Sequence, residues 1–440
     1  MEFGKHIGKG IWAFADKSLA VIYGLGFIFL VIRILPEDEY GAFVILQAIF
    51  MLIISIGTSF ALQPLIKFAS EKDDYSSILT TSSLLYIIFL SFSTLILLIL
   101  KEPIANLLDS SRVEKITSVL NYLPLLLLSS FVKSVLTALL QTRFYIKKIF
   151  WIDSVYFIGS LILFYIARML NYLNTVEDLI LIAIITNSLS SVLAIILSRN
   201  LIKLNKNIDI NSLKKIWSLG KFSLSSSISY SVYLQLDTFI VTVYTGVVGA
   251  ALYGAVKILT RIFDIYSQVI QMLVFPASSI LQGRKETDKL PELIEKSICF
   301  SFFSILPIVI LFGFFNEPII HLFYSNQYGN GSALLKIFSL VGFFIPWGAV
   351  ISSVLFGIGK TNVLFILSLI NLILTFLIYT IMGHLAGIQG IVWGIVIIQF
   401  IMITIGVMSL KKYIPFTLLS TFYRTKDITS YILKNLKEIF

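Results

Sequence analysis

The feature that most constrains this chain is a series of apolar runs, each about 20 residues or longer, separated by short polar breaks. Such a run is long enough for an α-helix to cross a hydrocarbon layer of about 30 Å. A transmembrane barrel would show short segments of alternating polarity instead. Only 13% of the residues are charged, against roughly 25% in soluble domains. The sequence therefore predicts an all-α polytopic membrane protein.

About twelve runs meet the length criterion. The predicted spans are residues 10–34, 41–66, 77–100, 116–141, 150–171, 178–198, 218–246, 247–281, 294–315, 333–358, 361–384 and 388–410. The first run is too long for a cleaved signal peptide and lacks a small-residue cleavage site, so we expect it to remain as the first helix.

The basic residues predict the orientation of these spans. Of the 34 Lys and Arg, 24 lie at the N-terminus, in alternate breaks or in the C-terminal tail, whereas the opposite breaks hold six. The positive-inside rule then places both termini in the cytoplasm. Because the net charge of +10 is explained by topology, we expect membrane lipids and no nucleic acid as partners.

The longest cytoplasmic break, near 199–217, divides the spans six and six. The predicted domains are a six-helix lobe at 1–200, a linker at 201–217, a second six-helix lobe at 218–410 and a tail at 411–440. The tail segment DITSYILKNLKEIF has apolar residues at 428, 431, 432, 436 and 439. This spacing is typical of an amphipathic helix on the inner membrane surface, serving as an anchor or as a docking element.

An internal repeat relates the two halves. Residues 40–46 read YGAFVIL and residues 253–259 read YGAVKIL, at an offset of 213. Gly8-Lys9 recurs as Gly220-Lys221 and Pro64 recurs as Pro276, both at an offset of 212. Since six spans are an even number, both lobes have the same orientation. We expect a pseudo-two-fold axis along the membrane normal, with the substrate path between the lobes.

The eighth span carries a charged stripe. Lys257, Arg261 and Asp264 are spaced at i, i+4 and i+7 and share one helix face. Apolar residues stand at the equivalent positions of the first half: Val44, Ala48 and Met51. A charge at the membrane centre costs roughly 2.5–3.5 kcal/mol on insertion scales. Lys257 and Arg261 either bind an anion, with Asp264 orienting Arg261, or form an ion pair that only holds helices together.

Four further residues carry charge inside predicted spans of the first half. Lys133, in the fourth span, is either a cavity cation or a lysine that snorkels to the interface. Asp16 and Lys17, about two turns into the first span, are either partners at the inner membrane edge or part of a gate. Asp153, at the start of the fifth span, is expected to be solvated near the cytoplasmic edge.

The seventh span begins GKFSLSSSISYSVYLQLD and is polar nearly all round. Hydroxyl and small side chains favour close helix packing, and they suit a wet cavity wall equally well. Asp237 is isolated in the middle of this span. It could pair with a cavity cation, or it could bind a proton or Na⁺ as a coupling site.

Little in the sequence points to an enzyme. The single cysteine, Cys299, excludes a disulfide framework, and the three histidines have no metal-ligand spacing. No glycine-rich phosphate loop follows a strand pattern. We therefore expect no metal and no cofactor apart from a coupling H⁺ or Na⁺.

Two stretches resemble a known family. Residues 33–41, RILPEDEYG, resemble the R-x-L-x-x-x-x-[YF]-G turn of polysaccharide-unit flippases, and residues 237–255, DTFIVTVYTGVVGAALYGA, resemble their seventh and eighth helices. These are the O-antigen and exopolysaccharide transporters of the multidrug/oligosaccharidyl-lipid/polysaccharide exporter superfamily. The resemblance covers nearly the whole chain in span count, repeat and order.

This resemblance implies a flippase that moves undecaprenyl-pyrophosphate-linked oligosaccharide units across the inner membrane, by alternating access around a cationic cavity. It implies cavity cations at Lys257 and Arg261, an acid at Asp237, and partners such as a polysaccharide polymerase and a chain-length regulator.

Two other functions compete with this one. A cation-coupled multidrug exporter of the same fold would favour an acidic cavity, but the mid-span charges here comprise four cations and three acids. A membrane glycosyltransferase or polymerase would need a large outer loop with catalytic residues, whereas the outer breaks near 101–115 and 316–332 are short.

Overall fold

The computed structural model describes residues 3–70, 74–203, 205, 210–325 and 327–416, and throughout this part of the chain the regular structure is helical. The predicted amphipathic helix of the tail lies outside the described residues. The helices are α1 (Phe3–Phe27, continued by a π-helical turn at Ile28–Ile32), α2 (Glu37–Gly57, a π-helical turn at Thr58–Leu62, and Gln63–Ser70), α3 (Ser76–Leu108), α4 (Val113–Leu120 and Leu123–Thr142), α5 (Ile146–Met169), α6 (Val176–Ser198), α7 and α8 (the two parts of Ile210–Gly283), α9 (Leu290–Phe314), α10 (Gly331–Ser339, a 3-10 turn at Leu340–Phe343, and Ile345–Gly357), and α11 and α12 (the two parts of Thr361–Lys411). A short helix, Asn316–Tyr324, lies between α9 and α10.

Ten helices of the described chain are long and apolar enough to cross a membrane. Two of these ten helices each consist of two helical segments that are separated by a sharp kink. Gly246, with φ +68°, separates α7 from α8, and Gly387, with φ +55°, separates α11 from α12. Positive φ costs glycine nothing because it has no Cβ. Dividing both helices at these glycines gives twelve spanning segments, which confirms the predicted fold class.

A proline shapes α2. Pro64 is the second residue after the π-helical turn at Thr58–Leu62. Proline has no N–H to donate to the carbonyl four residues earlier, and its ring crowds that carbonyl. The helix widens to a π-helical turn at this point, a distortion that often accompanies function.

The helices form two compact units. The first unit contains Met1–Gly254 and Phe323–Gln327, and the second contains Ala255–Leu322 and Tyr328–Phe440. The predicted lobes, with their boundary at the 201–217 linker, remain a prediction.

Hydroxyl groups join the helices of the first unit, where α6 packs on α4 and α5, and α5 packs on α1. Ser190 Oγ donates to the carbonyl of Ile152 at 3.0 Å, and Ser191 Oγ donates to the carbonyl of Ser129 at 2.9 Å. Small hydroxyl residues let membrane helices approach closely and bond across the contact.

The second unit has an aliphatic core. Its buried side chains come from α8, α9, α10 and α12, and include Ile270, Ile294, Val350 and Leu410. Between membrane helices this close packing stabilises the unit through van der Waals contacts, because side chains in a protein core pack more densely than liquid-like lipid tails do.

The surface of α3 is strongly apolar. Ile88, Phe92, Leu95 and Ile99 are each more than half exposed, and their spacing places them on one helix face. A continuous apolar face of this kind is unfavourable in water and suits a lipid environment.

Candidate functional site

The charged group that is best defined inside the first unit is an ion pair between α4 and α5. Lys133 Nζ lies 2.9 Å from Asp153 Oδ1, and the two side chains are 15% and 18% exposed. The same ammonium lies 4.1 Å from the ring centre of Tyr156, which is within cation–π range. Two residues of α5 therefore hold the cation of α4.

This pairing corrects two expectations from the sequence. Asp153 is not solvated at the helix edge: it lies seven residues after Ile146, where α5 begins, or about 10 Å along the helix. Lys133 does not snorkel to the interface, because its ammonium is held by Asp153; its role as a cavity cation stays a prediction. The signal was present in the sequence, because α4 and α5 are consecutive helices and their acid and base stand at matching depths.

Helix α1 brings a second carboxylate to this pair. The carboxyl group of Asp16 lies near that of Asp153, and Lys17 and Lys133 lie near both acids. Asp16 Oδ1 is buried and has no hydrogen-bond partner among the described residues, whereas the Lys17 side chain is exposed. We call Asp16, Lys133 and Asp153 the carboxylate–lysine cluster. With two acids and one base, it is a group in which protonation changes the net charge.

The stripe on α8 lies in the second unit and differs from this cluster. The side chains of Arg261 and Asp264 are exposed, and Lys257 is half-buried. Lys257 and Asp264 both have interaction partners, while no ion pair of Arg261 is found within the described part of the chain. The structure brings Lys257, Arg261 and Asp264 to one face of α8, as predicted; their role in binding stays a prediction.

Asp237 is not isolated. Its Oδ2 accepts a hydrogen bond of 2.5 Å from the hydroxyl of Tyr253, a residue of α8 that is fully buried. Its Oδ1 accepts a bond from the N–H of Thr238 at 2.7 Å. The sequence could have suggested this pairing, because α7 and α8 fold back on each other at Gly246. The Asp237 carboxylate therefore holds these two helices together.

The turn between α7 and α8 is held by a carboxylate from the connection after α3. Asp109 Oδ2 accepts a hydrogen bond from the N–H of Val247 at 2.9 Å. A Cβ on Gly246 would lie 2.6 Å from the same oxygen. Partial burial raises the pKa of Asp109, but hydrogen bonds from Ser111 and Val247 lower it by a larger amount. The pKa of Asp109 therefore lies below its ordinary value. Asp109 thus caps the first turn of α8, where an anion is favoured.

The two copies of the repeated Tyr-Gly motif come into contact. A Cβ on Gly41 would overlap the backbone oxygen of Val247, and a Cβ on Gly254 would lie 2.7 Å from Val44 Cγ2 and 3.3 Å from the Tyr40 hydroxyl. Glycine at both positions allows α2 and α8 to approach this closely. The repeat therefore marks a helix contact as well as an internal duplication.

The arginine motif at residues 33–41 also has a structural role. Arg33 Nε donates to Ser325 Oγ at 2.7 Å, and Gln327 Nε2 donates to the carbonyl of Leu35 at 2.5 Å. The turn between α1 and α2 thus binds the connection that follows the short helix Asn316–Tyr324.

Part of α7 supports the packing interpretation of its hydroxyl groups. Ser231 is buried and its Oγ lies 2.7 Å from Ser55 Oγ of α2. The side chains at 217–227 and 230 lie outside the described residues. For the serines among them, the wet cavity wall therefore stays a prediction. Within the described residues, no group of three or more His, Cys, Asp or Glu is arranged to hold a metal ion.

Solved structures share this fold. An inward-facing multidrug resistance MATE family transporter of the MOP superfamily matches with a TM-score of 0.73 at 17% identity, over 91% of this chain and 99% of that one. The lipid II flippase MurJ, in an inward closed conformation, matches with a TM-score of 0.74 at 16% identity, over 94% of this chain and 89% of that one. At these identities the likeness shows the fold alone.

Curated relatives are distant. A "Putative O-antigen transporter" of Shigella flexneri is 23% identical over 377 residues, which are 82% of this chain and 87% of that protein. An uncharacterized membrane protein of Methanocaldococcus jannaschii is 24% identical over 187 residues, which are 41% of this chain and only 37% of that relative's length.

A family model described as "Polysaccharide biosynthesis protein" matches residues 30–333. The match begins in α1 and ends in α10, so it includes the carboxylate–lysine cluster residues Lys133 and Asp153, the Asp109 cap and the α8 stripe. The chain therefore belongs to this family of polysaccharide biosynthesis proteins and has the fold of the MOP superfamily transporters.

Proposed function

We propose that the protein is a flippase that moves undecaprenyl-pyrophosphate-linked oligosaccharide repeat units across a bacterial inner membrane for surface polysaccharide synthesis. The observation that carries this proposal is the match of residues 30–333 to the polysaccharide biosynthesis family. The relative named as an O-antigen transporter and the fold shared with a lipid II flippase support it. The chain then acts as a transporter with two alternating six-helix lobes, and a polymerase and a chain-length regulator use its product.

The proposed orientation has both termini in the cytoplasm. The support is the distribution of the 34 Lys and Arg, of which 24 lie on one side of the predicted spans. In this orientation the connection at 142–145 between α4 and α5 is cytoplasmic, and the Asp109 cap is on the outer side.

Arg261 is the first candidate for binding the substrate pyrophosphate. Its side chain is exposed on α8, and guanidinium presents paired N–H donors that fit phosphate oxygens. Lys257 lies one helical turn away and adds a second cation. Lys17 is an exposed cation of α1 and a secondary candidate. Lys133 is less suited to direct binding because Asp153 already neutralises it.

The carboxylate–lysine cluster is the proposed coupling site. Asp16 and Asp153 lie near the ammonium groups of Lys133 and Lys17, so protonation of one carboxylate changes the net charge of the region by one unit. A proton fits this group better than Na⁺, because the ammonium of Lys133 already occupies one oxygen of Asp153. Asp237 and Asp264 are weaker candidates for coupling, since Asp237 is engaged by Tyr253 and Asp264 is exposed.

The test is complementation of a strain that lacks the gene, with surface polysaccharide as the readout. We expect the wild-type gene and Arg261→Lys to restore the polymer, and Arg261→Ala to reduce it at least tenfold at equal membrane level. Lys296→Ala is the matched control, because Lys296 is an exposed cation that pairs with Glu292 on its own helix.

The same strains test the multidrug alternative. If the deletion leaves the polysaccharide intact and raises sensitivity to cationic drugs, the flippase proposal is wrong. If Arg261→Ala restores the polymer as well as wild type, the substrate is bound elsewhere.

A further inference from the structure

A pocket of about 220 Å³ lies in the first unit beside the carboxylate–lysine cluster. Lys133 and Asp153 form part of its wall, and Thr58, Ser134, Thr137 and Gln141 contribute polar side chains. Thr58 comes from the π-helical turn of α2, so the widened turn contributes to the wall.

The polar residues of α4 form a path along one face of that helix. Ser134, Thr137 and Gln141 are spaced at i, i+3 and i+7. The path begins next to Lys133 and ends at Gln141, which is exposed and lies one residue before the end of α4. It therefore leads from the cluster to the connection between α4 and α5.

One hydroxyl group of the pocket wall, Thr137 Oγ1, is buried without a hydrogen-bond partner in the described part of the chain. The hydroxyl of Tyr86 on α3 lies beside Ser134 and Thr58. Buried polar groups in folded proteins are nearly always satisfied by protein atoms or by ordered water. The rest of the pocket wall is apolar, from Leu62, Ile66 and Ala138. A pocket of this size has room for several water molecules, each of which takes about 30 Å³ in the liquid, and its polar side chains offer them hydrogen-bond partners.

We propose that this pocket is a hydrated inlet through which the Lys133–Asp153 pair exchanges protons with the cytoplasmic side. The charged and titratable groups that face the pair are Asp16 and Lys17 from α1 and Tyr156 from α5. The proposal rests on the proposed coupling function and on the proposed orientation. It adds the route by which the coupling site communicates with the cytoplasm.

The test is chemical access to single cysteines, in a Cys299→Ser background. Thr137→Cys probes the inlet and Gln141→Cys probes its mouth. Leu139→Cys is the matched control, because Leu139 is fully buried on the same helix and does not line the pocket. The probe is a membrane-impermeant trimethylammonium-ethyl methanethiosulfonate, applied to inside-out and right-side-out membrane vesicles.

We expect Thr137→Cys to react at least tenfold faster in inside-out vesicles than in right-side-out vesicles, and at least tenfold faster than Leu139→Cys. Gln141→Cys should react from the same side. Equal rates at positions 137 and 139, or faster reaction from the outer side, would overturn the inlet.

A second measurement separates the inlet from the proposed function. Transport by wild type and by Thr137→Leu, which fills the pocket, is compared at two cytoplasmic pH values, with Thr137→Val as the control that keeps the shape. We expect Thr137→Leu to lose most of its pH response and Thr137→Val to keep it. If wild-type transport does not respond to cytoplasmic pH, the proton role is wrong even where labelling succeeds. A failure of complementation rejects the proposed substrate and leaves the labelling result unaffected.

Discussion

The two halves of the chain each place cations inside an apolar helix, but they treat these cations differently. In the first half, Lys133 is 15% exposed and held by Asp153 at 2.9 Å and by the ring of Tyr156. In the second half, Arg261 is exposed and makes no ion pair with the described residues. The sequence presents both as basic residues within long apolar runs.

The difference teaches that the neighbouring helix decides the role of a membrane cation. An ammonium that is paired and partly buried stabilises the fold and can respond to protonation of its partners. An exposed guanidinium is available to an external anion. We therefore expect substitutions of the two cations to have opposite signatures, one in stability and the other in transport.

The largest effect is expected from breaking the first-half pair. Lys133→Met or Asp153→Leu alone leaves one buried charge without its partner, which costs about 3–5 kcal/mol. The double variant removes both charges, so it should recover most of the stability while transport stays low. Thermal unfolding of the detergent-purified variants measures this cycle. Additive losses in the double variant would show that the two side chains are not coupled.

The next effect compares the two copies of the repeated motif. Gly41→Ala places a methyl group against the backbone oxygen of Val247, which cannot move aside, whereas Gly254→Ala meets the end of the Val44 side chain. We expect a loss of about 2–3 kcal/mol for Gly41→Ala and about 1 kcal/mol for Gly254→Ala. The melting temperatures of the two variants give the order. Equal losses of stability would mean that the Val247 backbone moves aside as easily as the Val44 side chain does, and would contradict the predicted order.

A smaller effect comes from a charge outside the spans. Asp109→Ala should cost about 1 kcal/mol, because it removes the cap on α8. The pKa of Asp109 in the folded protein lies below its ordinary value of 3.8, so its carboxylate stabilises the fold above that value. This contribution should disappear as the pH falls below 3.8 and through the folded pKa. Unfolding of wild type and Asp109→Ala at pH 6 and at a series of pH values below 3.8 measures it; a difference that does not shrink as the pH falls would contradict the assignment.

The smallest effect on stability is expected at Arg261. Arg261→Ala removes an exposed side chain and should change the unfolding free energy by no more than about 0.5 kcal/mol, although transport falls. Melting curves recorded beside those of Lys133→Met make the comparison direct. A loss near that of Lys133→Met would show that Arg261 belongs to the fold instead.

The sequence predicts the helices well because the bilayer fixes their length and polarity. All twelve predicted spans correspond to helical segments, since each apolar run has only one way to satisfy its backbone in lipid. The spacing also places Lys257, Arg261 and Asp264 on one face. It does not show which side chains face one another across helices. Asp109 beside Val247 required the structure. Asp153 beside Lys133 and Tyr253 beside Asp237 join consecutive helices, so the order of the helices suggests these pairings without fixing them.

The ion pair between α4 and α5 has a consequence for biosynthesis. Thr142 and Ile146 are joined by a three-residue connection, so the two helices can leave the insertion machinery together as a hairpin. Inserted singly, each helix would carry a charge that costs roughly 2.5–3.5 kcal/mol at the membrane centre. Inserted as a hairpin, Lys133 and Asp153 enter the lipid as a neutral pair. The same contact that stabilises the finished protein thus lowers the barrier to its assembly in the membrane.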